Sequence, residues 1–467
     1  MKRYKKVGVL LVVLLVACIA TFGVTKYEQH KEDIKNSEEV ILEVDVDAVT
    51  AVSWDNEETS LSFHKDEEWI YDGDEAFPVD GDKIEALLSV FEAFGVSFII
   101  ENVEDYGQYG LDNPTGTIKF TADETEYEIK LGNYSDMDSE RYVSIGDGNV
   151  YLVSEDPLEY FDAVLDDTMK HDETPSFEQV NTITFTGSEN YSIFYEEEST
   201  HTYCEDDVYF VENSGETLPL DTENIDTLMD EISSLSLGTY ATYNATEEEL
   251  AEFGMDTPEL VITVDHAFEN DNEETVEETF VLNISLNPEE QAAKEAETDS
   301  EKAEAMEVTA YARVGESQII YEISKESYDI LAAVSYDDLR HEEVLTADLS
   351  TVTQMDITLE GETYTITSEE ADNDRTYYYQ DKELEMAPLN SAIRSLSADS
   401  FTDEEAKEKL EISFVVYLDN ENYPQVEVEL YRYDGDYCLA VVDGETVALI
   451  ERSQVVDLIE AVNAIVL

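Results

Sequence analysis

The residues with most to offer chemically are six histidines and three cysteines, and they are scattered along the 467-residue chain. His30, His64, His171, His201, His266 and His341 each stand without a neighbouring partner pair and read as surface or turn residues. His201 and Cys204 lie three apart, a spacing that suits zinc when a second pair follows elsewhere. No second pair follows. The segment also reads as a strand, on which the two side chains would face opposite sides. No metal ligands are therefore assigned. Cys18, Cys204 and Cys438 occupy non-equivalent places, which argues against a disulfide framework and for buried free thiols. The chain lacks a phosphate-binding Gly-Lys-Ser/Thr loop, a G-x-S-x-G elbow and an H-E-x-x-H pair. The expectation is a non-enzyme with no catalytic residues and no cofactor.

Carboxylates are too common to single out a catalytic pair. Asp plus Glu number 113 against 25 Lys plus Arg, a net charge of −88. Nucleic acid is excluded as a general partner, because phosphate binding needs basic patches. The acidic turns "SDMDSE" (135–140), "ADNDRT" (371–376) and "YDGDYC" (433–438) place oxygens at alternate positions. A calcium loop also requires a turn glycine and a distal bidentate glutamate at defined spacing, and none of the three completes that pattern. They read as hairpin turns, and divalent cations are expected to act on this surface without specific sites. The 29 tyrosines, including the run Tyr377–Tyr379, suit half-buried sheet surfaces.

Hydrophobic residues make up 42% of the chain, enough to build cores despite the charge. A motif recurs within it: "YGLDNP" (Tyr109, Gly110, Leu111, Asp112, Pro114) and "FGMDTP" (Phe253, Gly254, Met255, Asp256, Pro258). It belongs to a larger repeat. Hairpin patterns begin at Val49, Val180 and Val352, with inward positions Val52 and Trp54, Ile183 and Phe185, Met355 and Ile357. A helix pattern follows each: "DKIEALLSVFEAFG", "ENIDTLMDEISSLS" and the shorter "APLNSAIRSLSA". Asp82 and Asp221 are candidate N-caps or first-turn acids. Further strands close each copy, with Gly146, Gly315 and Gly444 at one shared turn and a short helix after it.

The fold class expected is α+β: three related units of mostly antiparallel sheet with packed helices, at 45–170, 176–340 and 348–467. The third is degenerate and lacks the motif. The second carries an insertion at 287–306, rich in Ala, Glu and Lys, read as a helical or disordered excursion. In this scheme the motif is a structural turn between helix and strand. Gly110 and Gly254 end short helical turns in a left-handed cap. Asp112 and Asp256 bond backbone amides. Pro114 and Pro258 lead into edge strands. Tyr109, Phe253, Leu111 and Met255 plug the core.

The amino terminus sets the topology. Residues 1–6 carry Lys2, Arg3, Lys5 and Lys6, and 7–24 is an uncharged apolar run. It is long enough to cross a bilayer, with the basic end cytoplasmic and the rest outside. An uncleaved signal anchor is the main reading. "LVAC" at Leu15–Cys18 leaves lipidation of Cys18 as the alternative. Residues 25–44 read as a stalk.

These features together, the anchor, the repeated β-rich units and the YGL-x-x-P-like turn ahead of a strand, resemble the bacterial "domain of unknown function 4340" family. The resemblance implies an envelope protein of the cytoplasmic membrane that partners permease or auxiliary subunits of an ABC-type export system. It implies no catalytic residues. The expected function is thus a non-enzymatic, membrane-anchored extracytoplasmic interaction protein. The alternative is a cell-surface binding module for divalent cations or envelope polymer.

Overall fold

A computed structural model describes residues 39–101, 103–213, 215–270, 272–371, 374–404 and 409–466. The basic segment, the apolar run, Cys18 and most of the stalk lie outside the described residues. Among the described residues, no helix is long and apolar enough to cross a membrane.

Three nine-stranded antiparallel sheets with packed helices make up the fold, an α+β architecture of three repeat-like units. Alternating apolar residues define the first strand of each copy, an interior strand of its sheet. Val49–Asn56 lies between Ser60–Lys65 and Gly116–Ala122. Gln179–Gly187 lies between Tyr191–Tyr195 and Leu260–Glu269. Gln354–Leu359 lies between Glu362–Ala371 and Leu410–Tyr417. Beyond the second neighbour each sheet continues as a meander through three more strands. A strand that follows the long helix then pairs on the far edge: Phe94–Ile100, Tyr240–Thr242 or Ala398–Phe401. The strand order is the same three times, with two differences. Among the described residues, the first sheet gains Glu39–Leu42 at that edge and lacks the fourth strand that the others carry on the opposite edge.

One face of each sheet is covered by helix. Asp80 caps Gly81–Leu88 by accepting from the Asp82 amide at 3.1 Å, so Asp82 is a first-turn acid. Asp221 caps Thr222–Ser234, whose Ile225, Leu228, Met229 and Ile232 are buried. Ala387–Arg394 buries Leu389 and Ile393. The first helix is shorter than its pattern. It gives way to a 3-10 turn at Ser89–Phe91 and a strand from Phe94. The apolar residues past Leu88 fit either period, and burial of Phe94 and Val96 on one side of a strand decides it. The closing helices are Pro157–Phe161, Lys325–Ala332 and Arg452–Val466. The insertion forms two helices, Pro288–Ala296 and Ser300–Glu304.

The chain divides into two compact units at His171/Asp172. The first copy stands alone in one. The second and third share the other, where Tyr203 from the second copy packs against the core of the third.

Candidate functional site

The repeated motif has the backbone of a turn. Gly110 closes the 3-10 turn Gly107–Tyr109 with φ 75°, and Gly254 follows the helix Glu247–Glu252 with φ 73°. Leu111 and Met255 are buried, while Tyr109 and Phe253 are half-buried. The two aromatics pack on equivalent tyrosines, Tyr109 on Tyr142 at 5.0 Å and Phe253 on Tyr311 at 4.9 Å. Asp112 and Asp256 are exposed, and Asp256 accepts from the Thr257 hydroxyl at 3.3 Å rather than from an amide. The turn amides are already used: Leu111 N donates to Tyr106 O, and Met255 N and Asp256 N donate to Leu250 O. Pro114 and Pro258 lead into interior strands, not edge strands, since Gly116–Ala122 and Leu260–Glu269 are paired on both sides. Both prolines precede their ladders, so a missing N–H removes no rung. Gly146, Gly315 and Gly444 all have positive φ at their shared turn.

The histidines depart from expectation. His266 is buried, with its ring 5.1 Å from Phe177 and 6.0 Å from Phe268. It continues the inward alternation of Leu260, Ile262 and Val264. His201 and Cys204 lie in the irregular segment between Tyr195 and Tyr209, not on a strand. Cys204 finds its neighbours elsewhere.

A chain of local bonds positions that loop. Thr202 Oγ1 accepts from the Cys204 amide at 2.9 Å and donates to Asp207 Oδ2 at 2.6 Å. Thr222 Oγ1, at the start of the long helix, donates to Asp206 O at 2.8 Å. A second segment arrives from the end of the same copy. The Asp221 amide donates to Leu339 O at 2.9 Å, which fixes the path of the next residues. His341 is thereby set between two carboxylates, its Nε2 2.7 Å from Asp207 Oδ1 and its Nδ1 3.5 Å from Asp221 Oδ2. The Asp207 side chain is 1% exposed and that of His341 18%. The ligand atoms of Cys204, Asp207 and His341 lie within 4.8 Å of one another, as do those of Asp221, His341 and Glu343.

Burial lowers the His341 pKa, but the Asp207 hydrogen bond and the charges of Asp207, Asp221 and Glu343 outweigh it and hold it above its ordinary value. Burial, with the Asp207 charge, pushes the Cys204 thiol up to about 12. Such a thiol is a poor nucleophile at neutral pH.

His341 and Glu343 also line a cleft of about 690 Å³ in the second unit. Its walls carry Tyr203, Tyr336, Tyr423 and Phe401. Tyr203 and Tyr423 meet edge to face at 5.6 Å. The Arg340 guanidinium sits 4.2 Å from the Phe401 ring centre and 4.9 Å from that of Tyr336. Phe253 and Gly254 do not line this cleft. Sequence reading missed Asp207 and His341 because they are 134 positions apart. The legible half was the Thr-x-Cys-x-x-Asp spacing of 202–207, which fits a self-bonded loop.

The fold and the cleft define a repeat-built α+β protein with an aromatic groove. Its family follows from sequence comparison: the model described as Domain of unknown function (DUF4340) matches residues 69–208 and 211–412. The chain belongs to that family. Each match begins within the third strand of a repeat copy, Trp69–Tyr71 or Tyr209–Asn213, so the two are in the same register on the repeat. No curated protein and no solved structure matches the chain.

Proposed function

We propose that this protein is a non-enzymatic interaction protein, held at the outer face of the bacterial cytoplasmic membrane by residues 7–24 and accessory to an ABC-type export system. The cleft of the second unit carries the interaction part of this reading. In a chain of net charge −88, it gathers three tyrosines, a phenylalanine and an arginine around about 690 Å³. Tyrosine and arginine are enriched in binding hot spots, and tyrosine supplies large contact area at low entropic cost. The partner that suits it is an extracytoplasmic segment of a permease or auxiliary subunit. The tethering part rests on the basic cluster ahead of an uncharged run of spanning length.

A photo-crosslinking residue at Tyr423, introduced in the whole chain in native membranes, tests both parts. Recovery of a transporter subunit, lost when Arg340 and Phe401 are changed to Ala, is the expected outcome. Crosslinks to envelope polymer alone would replace this reading with a surface-binding module. A chain recovered wholly from the soluble fraction would sink the tether.

A further inference from the structure

We propose that Cys204, Asp207 and His341 form a zinc site whose fourth coordination position opens toward the cleft of the second unit. The donor types come first. A thiolate, a carboxylate and an imidazole are three of the ligands that tetrahedral zinc takes, and the sulfur selects against calcium and magnesium. The atoms already converge to within 4.8 Å of one another. With Zn–N and Zn–O near 2.0–2.1 Å, tetrahedral ligands stand about 3.3 Å apart. The 2.7 Å separation of His341 Nε2 from Asp207 Oδ1 therefore has to widen by only about 0.6 Å when zinc replaces the shared proton.

The surroundings of the three residues fit as well. Zinc-bound histidines nearly always donate their second ring N–H to a carboxylate, a backbone carbonyl or water, which fixes tautomer and ring plane. His341 has a carboxylate placed for that role, because Nδ1 lies 3.5 Å from Asp221 Oδ2 while Nε2 faces Asp207 Oδ1. Asp221 is held in turn as the cap of Thr222–Ser234 and by its amide bond to Leu339. Thr202 Oγ1 bonds the Asp207 carboxylate through Oδ2, leaving Oδ1 on the His341 side. Charge also closes: thiolate and carboxylate together cancel the dication, with the imidazole neutral. His341 lines the cleft, so the ion has a way in and the open position faces whatever the cleft holds.

Cobalt(II) titration of the whole chain, stripped with chelator, tests the site. One tight equivalent is expected, with a sulfur-to-cobalt charge-transfer band and the strong visible bands of tetrahedral cobalt. One equivalent of zinc should displace it, and a hundredfold excess of calcium should not. Cys204→Ser should abolish the charge-transfer band, His341→Gln should weaken binding at least tenfold, and Cys438→Ser should change neither. In case Cys204→Ser fails to fold, alkylation of the unaltered chain gives a second readout: zinc should protect the peptide containing Cys204 and leave the labelling of the peptide containing Cys438 unchanged. A band that survives Cys204→Ser, or cobalt bound only weakly at many equivalents, overturns the proposal.

Discussion

At the scale of single residues, a carboxylate in this chain matters by what holds it. Asp348 accepts from the Ser350 hydroxyl at 2.7 Å and from the Ser350 amide at 2.8 Å. These bonds hold its pKa below the ordinary value. A depressed folded pKa means stability that is present above the unfolded pKa, near 3.9, and lost as pH falls through the folded one. Asp348→Asn keeps the acceptor for the Ser350 amide, offers the Ser350 hydroxyl a donor in place of the second oxygen, and removes the titration. The gap in urea midpoint between wild type and variant should therefore shrink from pH 6 toward pH 3. A gap constant with pH would show that the carboxylate charge contributes nothing. The same attention to partners separates the two kinds of histidine. His266 was legible, since it falls on the inward period of its strand. His341 was not legible, because its environment is made by two segments that only tertiary structure joins.

At the scale of elements, the motif turns are where local sequence fixes backbone most tightly. At Gly110 an added Cβ would meet Asn133 Oδ1 at 2.3 Å and Asn133 N at 2.9 Å. At Gly254 it would meet Ser285 Oγ at 2.6 Å and Leu286 O at 3.3 Å. Both glycines hold positive φ, which costs a non-glycine residue about 1–2 kcal/mol before any clash. Gly110→Ala should lower the stability of the first unit, and Gly254→Ala that of the second, by at least that much in urea melts. Unchanged stability with lost partner binding would instead mark the turn as a binding loop. Hairpins, long helices and closing helices were all legible from period and cap. The end of the first helix was not, because Leu88, Phe91 and Phe94 satisfy a helical stripe while Phe94 and Val96 satisfy a strand. Pairing with Tyr151 to Val153 resolves the ambiguity, and that contact is not local.

At the scale of the whole molecule, a charge of −88 opposes every compact arrangement. Salt shortens the reach of that repulsion to about 8 Å at physiological ionic strength. Unfolding midpoints should rise with sodium chloride, and calcium should match sodium once ionic strength is equal. The acidic turns explain the second expectation. Asp434 Oδ1 is occupied by the amides of Asp436 and Tyr437, both at 2.8 Å, and Ser135 Oγ bonds Asp138 at 2.9 Å. A saturable calcium gain of several degrees, reversed by chelator, would refute generic screening. The repeat itself was legible at this scale because its inward positions recur three times. The joining of the second and third copies into one unit was not, since it depends on where Tyr203 lands.

The two family matches begin within the third strand of a repeat copy, and this offset separates the stretch that recurs in sequence from the stretch that folds. A fragment ending at Val208 would keep the hairpin Gln179–Tyr195 and discard Tyr209–Asn213, its hydrogen-bonded neighbour, together with Leu260–Glu269 on the other side. Two bare strand edges would then face water with Ile183, Phe185 and Ile193 uncovered, a template for pairing between chains. Excision between His171 and the strand that starts at Gln179 leaves every ladder whole. Fragments cut by sequence similarity should clump, and those cut by the hydrogen-bond ladders should stay in solution.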